Sequence, residues 1–169
     1  MKNYIKEGQK LPMFGVGPYL IAGMGLLTAI GMLLSKNVLK SGILDGFWTI
    51  LFRVIGGILI ILGVAVWYIG SLKSDMDASI TDNRLQTGGI YAWVRNPMYS
   101  GMWGIMSGIS FMSHNVWLLV IQLINWGIMT VVLMSTEEKW LANLYGKEYD
   151  EYKSRVNRCI PWIPRKNVE

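Results

Sequence analysis

Two clusters in this 169-residue chain combine residue types that do chemistry together. The first runs through Tyr91, Trp93, Arg95, Asn96, Pro97, Tyr99 and Trp103, where a glycine-hinged polar stretch gives way to apolar sequence. The second is the adjacent pair Glu137 and Glu138, which directly follows another apolar run. Aromatic faces hold a desolvated cation by about 0.5–2 kcal/mol, and a carboxylate beside them accepts from an ammonium or a hydroxyl, so a small cationic ligand fits between the clusters. One histidine, His114, and one cysteine, Cys159, make neither a zinc set nor an internal disulfide. No dedicated base stands out. Each cluster also has a plainer reading. The aromatics can be an interfacial anchor, and Ser135 with Glu138 has the spacing of a helix capping box.

The elements that must position these residues are apolar helices. Hydrophobic content is 52%, above the roughly 45–50% of soluble domains, and the expected class is an all-α integral membrane bundle of about four transmembrane helices forming one domain. Apolar runs at 18–34, 47–72, 98–113 and 116–134 are the four expected spans, the first short for a bilayer core. Residues 1–72 carry spans one and two; 73–169 carry a polar loop, a helical hairpin of spans three and four turning at Ser113-His114-Asn115, and a tail. Arg53, about 9 Å into span two at 1.5 Å per residue, either snorkels to the interface or faces a cavity. Pro97 is suited to a first helical turn because it lacks an amide donor.

Charge sets the orientation. The net charge of +5 points to membrane orientation rather than nucleic acid. Lys and Arg number three before span one, three in 73–97 and seven in the tail, against two in the opposite loops, so both termini and the 73–97 loop are expected in the cytosol. The first apolar run lacks a cleavage site and is read as a retained span. In the tail, 135–156 is expected as a C-terminal amphipathic helix on the cytosolic face, with Leu141, Tyr145, Tyr149, Tyr152 and Val156 along one side and Glu151 pairing with Arg155 on the other. No Gly or Pro separates Ile128 from Tyr145, so 116–145 is expected as one continuous helix, which carries both acids to the mouth of the hairpin facing residues 95–99. Gly101, Gly104 and Gly108 share a helix face that admits a close neighbour. For Gly23, Gly31, Gly56 and Gly63, self-association and internal packing are both open. Cys159 is read as a free thiol.

Thr87-Gly-Gly-Ile-Tyr-Ala-Trp-Val-Arg-Asn-Pro-Met-Tyr-Ser-Gly, then Glu137-Glu138, Leu144-Tyr-Gly-Lys-Glu-Tyr149 with Tyr152, and Ile160-Pro161 together resemble the isoprenylcysteine carboxyl methyltransferase family. That family belongs with the phospholipid methyltransferases among membrane enzymes using S-adenosylmethionine. The resemblance runs from about Asn83 to Pro164. It implies a cytosol-facing cofactor pocket in which Asn83, Arg84, Leu85 and Gln86 line the adenosine, with Tyr91, Asn96, Pro97, Met98, Tyr99 and Glu137 also contacting the cofactor. Arg95, Tyr99 and Glu137 are the implied catalytic positions, Arg95 holding the pocket or the methionyl carboxylate. Leu133, Glu138 and Trp103 are the implied acceptor side. No metal is implied. Two residues depart from the eukaryotic pattern: Asn96 replaces a histidine, and Leu133 replaces an arginine implicated in substrate binding.

A sulfonium is already a good methyl donor, so such a protein mainly aligns donor and nucleophile and excludes water, worth roughly 7–11 kcal/mol. The expected function is methylation of a lipophilic acceptor entering from the bilayer. The uncharged Leu133 favours, within the same class, a phospholipid amine or a thiol as acceptor. A different class is a small four-span cation carrier or binding protein, but spans one to three contain no acidic residue.

Overall fold

The structure, a computed structural model, describes residues 15–74 and 84–164. All named elements among them are helical, and the one β-type contact is an isolated bridge between Ile43 and Asn115. Helix α1 is Gly17–Ser35, α2 is Phe47–Tyr68 with a π-turn Ile69–Lys73 after it, α3 is Pro97–Met112, α4 is Val116–Ser135, α5 is Glu137–Tyr145 and α6 is Lys147–Arg155. Three segments, Gly17–Ser35, Phe47–Lys73 and Val116–Tyr145, are long and apolar enough to cross a membrane. Helix α3, at 16 residues, is about 24 Å long, short of the roughly 30 Å hydrocarbon core.

Helices α1, α3 and α4 share a core of Leu20, Met24, Tyr99, Met106, Met129 and Leu133, which Cys159 joins from the tail. Deeper along the same seam, Gln122 Nε2 donates to Thr28 Oγ1 at 3.0 Å and to Ser110 Oγ at 2.9 Å, while Asn125 Nδ2 donates to Thr28 Oγ1 at 3.0 Å. These bonds tie α1 to α3 and α4 where water cannot compete. Helix α2 leans on α3 instead, through glycines on both sides. A Cβ at Gly101 would lie 2.7 Å from the Gly63 carbonyl, and one at Gly108 2.6 Å from that of Gly56. Internal packing thus accounts for Gly56 and Gly63, and for Gly31, which abuts Leu118 and Ile121; nothing approaches Gly23. The outer face of α2 leaves Ile50, Val54, Ile58 and Ile61 exposed, and Arg53 lies exposed beside them, which accords with snorkelling and not with a buried cavity.

Away from the chemical clusters, Asn115 caps α4 by accepting from the Trp117 amide at 3.0 Å and donating to the Leu39 carbonyl at 2.9 Å. The His114 carbonyl accepts from the Leu44 amide at 2.8 Å. His114, with φ 41°, serves the turn.

Four readings of the sequence need correction. Residues 116–145 do not form one unbroken helix: Thr136, at φ −122° and ψ −87°, separates α4 from α5. Ser135 Oγ and Thr136 Oγ1 both donate to the Val132 carbonyl, at 3.0 and 2.6 Å, and such local side-chain bonds compete with the helical ladder. The capping box is not formed either, since α5 starts without a side-chain cap. The 135–156 tail is likewise divided, at Gly146, whose φ of +53° is one that glycine adopts without a Cβ clash. Its expected apolar side is buried nonetheless: Tyr149, Tyr152 and Val156 pack with Leu85, flanked by Leu141 and Tyr145. The expected Glu151–Arg155 ion pair is absent among the described residues; Arg155 Nε meets the Glu151 carbonyl at 3.4 Å instead.

Candidate active site

The site begins at the elbow before α3. Pro97 is the first residue of α3 and is buried against Gly70, where a Cβ would come within 2.8 Å of the proline ring. The two preceding amides are held by the tail: Arg95 N–H donates to the Asn157 carbonyl at 2.8 Å and Asn96 N–H to that of Arg158 at 3.1 Å. Asn96 Nδ2 donates to the same Arg158 carbonyl at 3.1 Å. Trp162 N–H donates to the Trp93 carbonyl at 3.0 Å, so the tail and the elbow run side by side. Tyr152 secures the approach, its hydroxyl donating to the Tyr91 carbonyl at 2.7 Å.

After the break at Thr136 the two acids open α5, and as consecutive helix residues they face different surroundings. The Tyr99 hydroxyl donates to Glu137 Oε1 in a short contact, and the Val16 amide donates to the same carboxylate. Gly15 and Gly17 press so closely on Glu137 and Tyr99 that a Cβ would lie 2.7 Å from Glu137 Oε1 or 2.8 Å from the Tyr99 hydroxyl. Glu138 is 4% exposed and gathers three cations. Arg158 grips it in a two-pronged contact, Nε to Oε1 at 2.5 Å and Nη2 to Oε2 at 3.0 Å. Arg95 Nη2 lies 3.0 Å away and Lys153 Nζ 4.0 Å. Bidentate guanidinium–carboxylate pairs are among the stronger charged contacts, and this one raises the Arg158 pKa, the Glu138 hydrogen bond leading.

Between elbow and tail lies a hollow of about 40 Å³. On one side are Arg84, Leu85, Gln86, Tyr91, Arg95 and Asn96; Leu141, Tyr145, Tyr149 and Tyr152 close the other. Burial pushes the Tyr149 hydroxyl up to about 12, Glu138 nearby adding to it against Arg95 and Arg158. Burial also raises Tyr152. Both phenols are therefore neutral at physiological pH, Tyr149 accepting from Arg95 Nη1 at 3.5 Å and Tyr152 donating to the Tyr91 carbonyl. Two buried polar atoms among the residues lining this hollow, Arg95 Nε and the Tyr145 hydroxyl, have no hydrogen-bond partner among the described residues. Leu141 is four residues beyond Glu137 and Asn96 three before Tyr99, so the Tyr99–Glu137 contact sits about one helical turn from the hollow.

Six of the residues expected to hold a cofactor or to act on it thus share one hollow, and Tyr99 meets Glu137 beside it. Met98 is partly buried behind Pro97. Asn83 falls outside the described residues. Of the three expected on the acceptor side, Leu133 is fully buried in the shared core. Glu138 is saturated by arginines, and Trp103 Nε1 donates to the Gln122 carbonyl at 3.0 Å. Sequence reasoning missed Arg158 and the Gly15–Gly17 segment. Neither carries a periodic or motif signal, since each reaches the acids across a large sequence separation.

The family model of phospholipid methyltransferases matches residues 51–148. The chain belongs to that family. The matched segment contains the elbow and both acids, whereas Tyr149, Tyr152 and Arg158 lie beyond it. Among curated relatives, the protein from Schizosaccharomyces pombe called protein-S-isoprenylcysteine O-methyltransferase is 36% identical over 84 residues, 49% of this chain and 35% of its own length. The protein of the same name from Saccharomyces cerevisiae is 32% identical over 123 residues, 68% of this chain and 51% of its own. Methanethiol S-methyltransferase of Crocosphaera subtropica is 30% identical over 89 residues, 52% of this chain and 33% of its own. The chain thus spans about a third to a half of the relatives it matches. No solved structure matches it significantly.

Proposed function

We propose that the chain is a membrane methyltransferase that takes S-adenosylmethionine from the cytosol and methylates a lipophilic acceptor arriving from the bilayer. The observation that carries this reading is the convergence of the elbow, Glu137 and an aromatic hollow, reached from separate parts of a family member's chain. Helix α3 acts as a fourth crossing, forming a hairpin with α4, and both termini face the cytosol with the tail laid across the helix ends. Three helices long enough to span and the excess of Lys and Arg on that side support this arrangement.

The residues present suit the donor chemically. Tyr91, Tyr145, Tyr149 and Tyr152 offer ring faces to a cation, the Tyr145 hydroxyl offers an unused donor, and Glu137 offers carboxylate oxygens. The hollow is smaller than the roughly 300 Å³ lower bound of typical small-molecule sites, so binding has to part Leu141 and Tyr145 from Arg84–Gln86. When bound, the donor supplies an electrophilic methyl group for direct displacement. The chain orients it, excludes water and holds the acceptor in line. Glu137, positioned by Tyr99 and the Val16 amide, takes the donor's ammonium or a hydroxyl.

A thiol acceptor is the second reading, favoured by the apolar burial of Leu133 where an arginine would meet a carboxylate, and by likeness to a relative named for methanethiol. Membranes incubated with methyl-labelled donor separate these readings. Base-labile label in a lipid-soluble product marks an ester, and stable label marks a thioether or amine. No incorporation together with cation-driven transport would replace the enzyme by a carrier. In calorimetry on purified protein, Glu137→Gln is expected to weaken donor binding at least tenfold with the fold intact; unchanged affinity would remove Glu137 from the pocket. Tyr99→Ala is expected to weaken it more than Trp117→Ala, at the other end of the bundle, and equal losses would point to general destabilisation.

A further inference from the structure

A second hollow, about 240 Å³ and open to the outside, lies across Arg95 from the aromatic one. Arg95, Lys153, Arg155 and Arg158 line it, with Ser154, Val156 and Asn157 completing the wall and no acidic side chain among the lining residues. The carboxylate that approaches these cations, Glu138, carries one charge and already meets three of them. Among the described residues Arg155 meets no carboxylate and bonds to the Glu151 carbonyl. The carboxy-terminal end of α6 offsets about half a charge, which leaves a clear positive surplus. The Arg95 side chain is 7% exposed, and its Nε–H has no acceptor among the described residues. A buried donor of that kind implies a missing acceptor, since nearly all such groups are satisfied in folded proteins.

The surroundings indicate where the acceptor comes from. Ile160, Trp162 and Ile163 follow directly and are 49%, 64% and 69% exposed. Trp162 is fixed to Trp93, itself half exposed. Exposed apolar and indole side chains beside a cationic hollow, on a tail attached to a helix able to span a bilayer, place it at the headgroup level. Guanidinium groups match phosphate oxygens in forked pairs.

We infer that this hollow binds the phosphate of an anionic phospholipid headgroup, held by Arg155, Lys153 and the free edge of Arg95. The lipid is a docked ligand and not the methyl acceptor, so the site stands whether or not the methyl-transfer reading holds.

Thermal unfolding of the purified full chain in neutral detergent tests it, with added phosphatidylglycerol, phosphatidylcholine, inorganic phosphate or S-adenosylmethionine. Phosphatidylglycerol should raise the midpoint saturably, and phosphatidylcholine at the same mole fraction should not. Lys153→Gln with Arg155→Gln, both exposed positions, should leave the lipid-free midpoint in place and weaken the phosphatidylglycerol response at least fivefold. An unaltered response in that variant, or an equal response to phosphatidylcholine, overturns the proposal. Inorganic phosphate acting as strongly as phosphatidylglycerol would reassign the site to soluble phosphate. Competitive displacement of the lipid by S-adenosylmethionine would make it part of the donor site, and overturns the proposal equally.

Discussion

Glu137 and Glu138 are identical and adjacent, yet they serve different purposes because consecutive residues at the start of α5 do not share a helix face. Glu137 turns to Tyr99, while Glu138 becomes the knot joining α5, the elbow and the tail. Removing that charge should therefore cost stability before anything else. Glu138→Gln strands Arg95 and Arg158, and breaking a buried pair costs about 3 kcal/mol or more. A fall of about 10 °C in melting temperature is expected for a chain of this size, and Glu138→Gln with Arg158→Gln should lose less than the sum of the two single changes. Additive losses would mean the pair does not couple. Cys159 reports the same docking chemically. It is 4% exposed, and burial pushes its thiol from 9.0 up to about 12, Arg158 opposing. The folded value exceeds the unfolded one, so the thiol's contribution to stability is full below about pH 9 and is lost as pH rises toward 12. At pH 8 maleimide should label Cys159 only after unfolding; rapid labelling of folded protein would show the tail undocked. The sequence made Arg95, Tyr99 and Glu137 legible because they sit in recognisable runs. Arg158 stayed hidden because its partner is twenty residues away with no repeat to announce it.

Helix existence was legible from apolar run length: the four expected runs correspond to α1 to α4 with ends within a residue, once the π-turn Ile69–Lys73 is counted with α2. Helix continuity was not. The absence of Gly and Pro argues for continuity at 136, yet Thr136 leaves the helical path there, while its amide and the hydroxyls of Ser135 and Thr136 all bond to the Val132 carbonyl. The glycines show the converse, since spacing marked Gly101 and Gly108 as a packing face without saying which helix would occupy it. Opposed glycines on α2 do. The steric margins rank the consequences. At Gly101 a methyl group would meet the Trp67 amide and the Gly63 carbonyl at 2.7 Å, backbone atoms that move only if α2 moves. Gly101→Ala should destabilise by about 1–3 kcal/mol, as overpacking does. Gly57 has nothing within 4 Å of its Cβ position, so Gly57→Ala should be neutral or stabilising by up to about 1 kcal/mol. Thermal unfolding of both variants in detergent checks this ranking, and a reversed order would disprove the close α2–α3 seam.

At the scale of the whole molecule, the proposed chemistry needs α3 to bring its elbow and the tail to one side of the membrane. The structure has the elbow and the tail bonded to each other, through Arg95 to Asn157 and Trp93 to Trp162, so whatever side one occupies the other shares. Helix α4 is long enough to cross, and the α3–α4 turn lies beyond its far end. Helix α3 then has to cover the same distance with only 16 residues. About 24 Å suffices if the bilayer thins locally or flanking side chains snorkel, at fractions of a kcal/mol per Å of mismatch, whereas leaving the turn buried would draw the loop bonded to it through Leu39 and Leu44, with Lys36, Lys40 and Asp45, toward hydrocarbon, where charges are costly. The balance favours a crossing. In a Cys159→Ser background, a single cysteine at Ser113 should react with an impermeant maleimide from outside intact cells, and one at Ser154 only after permeabilisation. Labelling of both from the same side would show that α3 does not cross, and would detach the donor site from the cytosol.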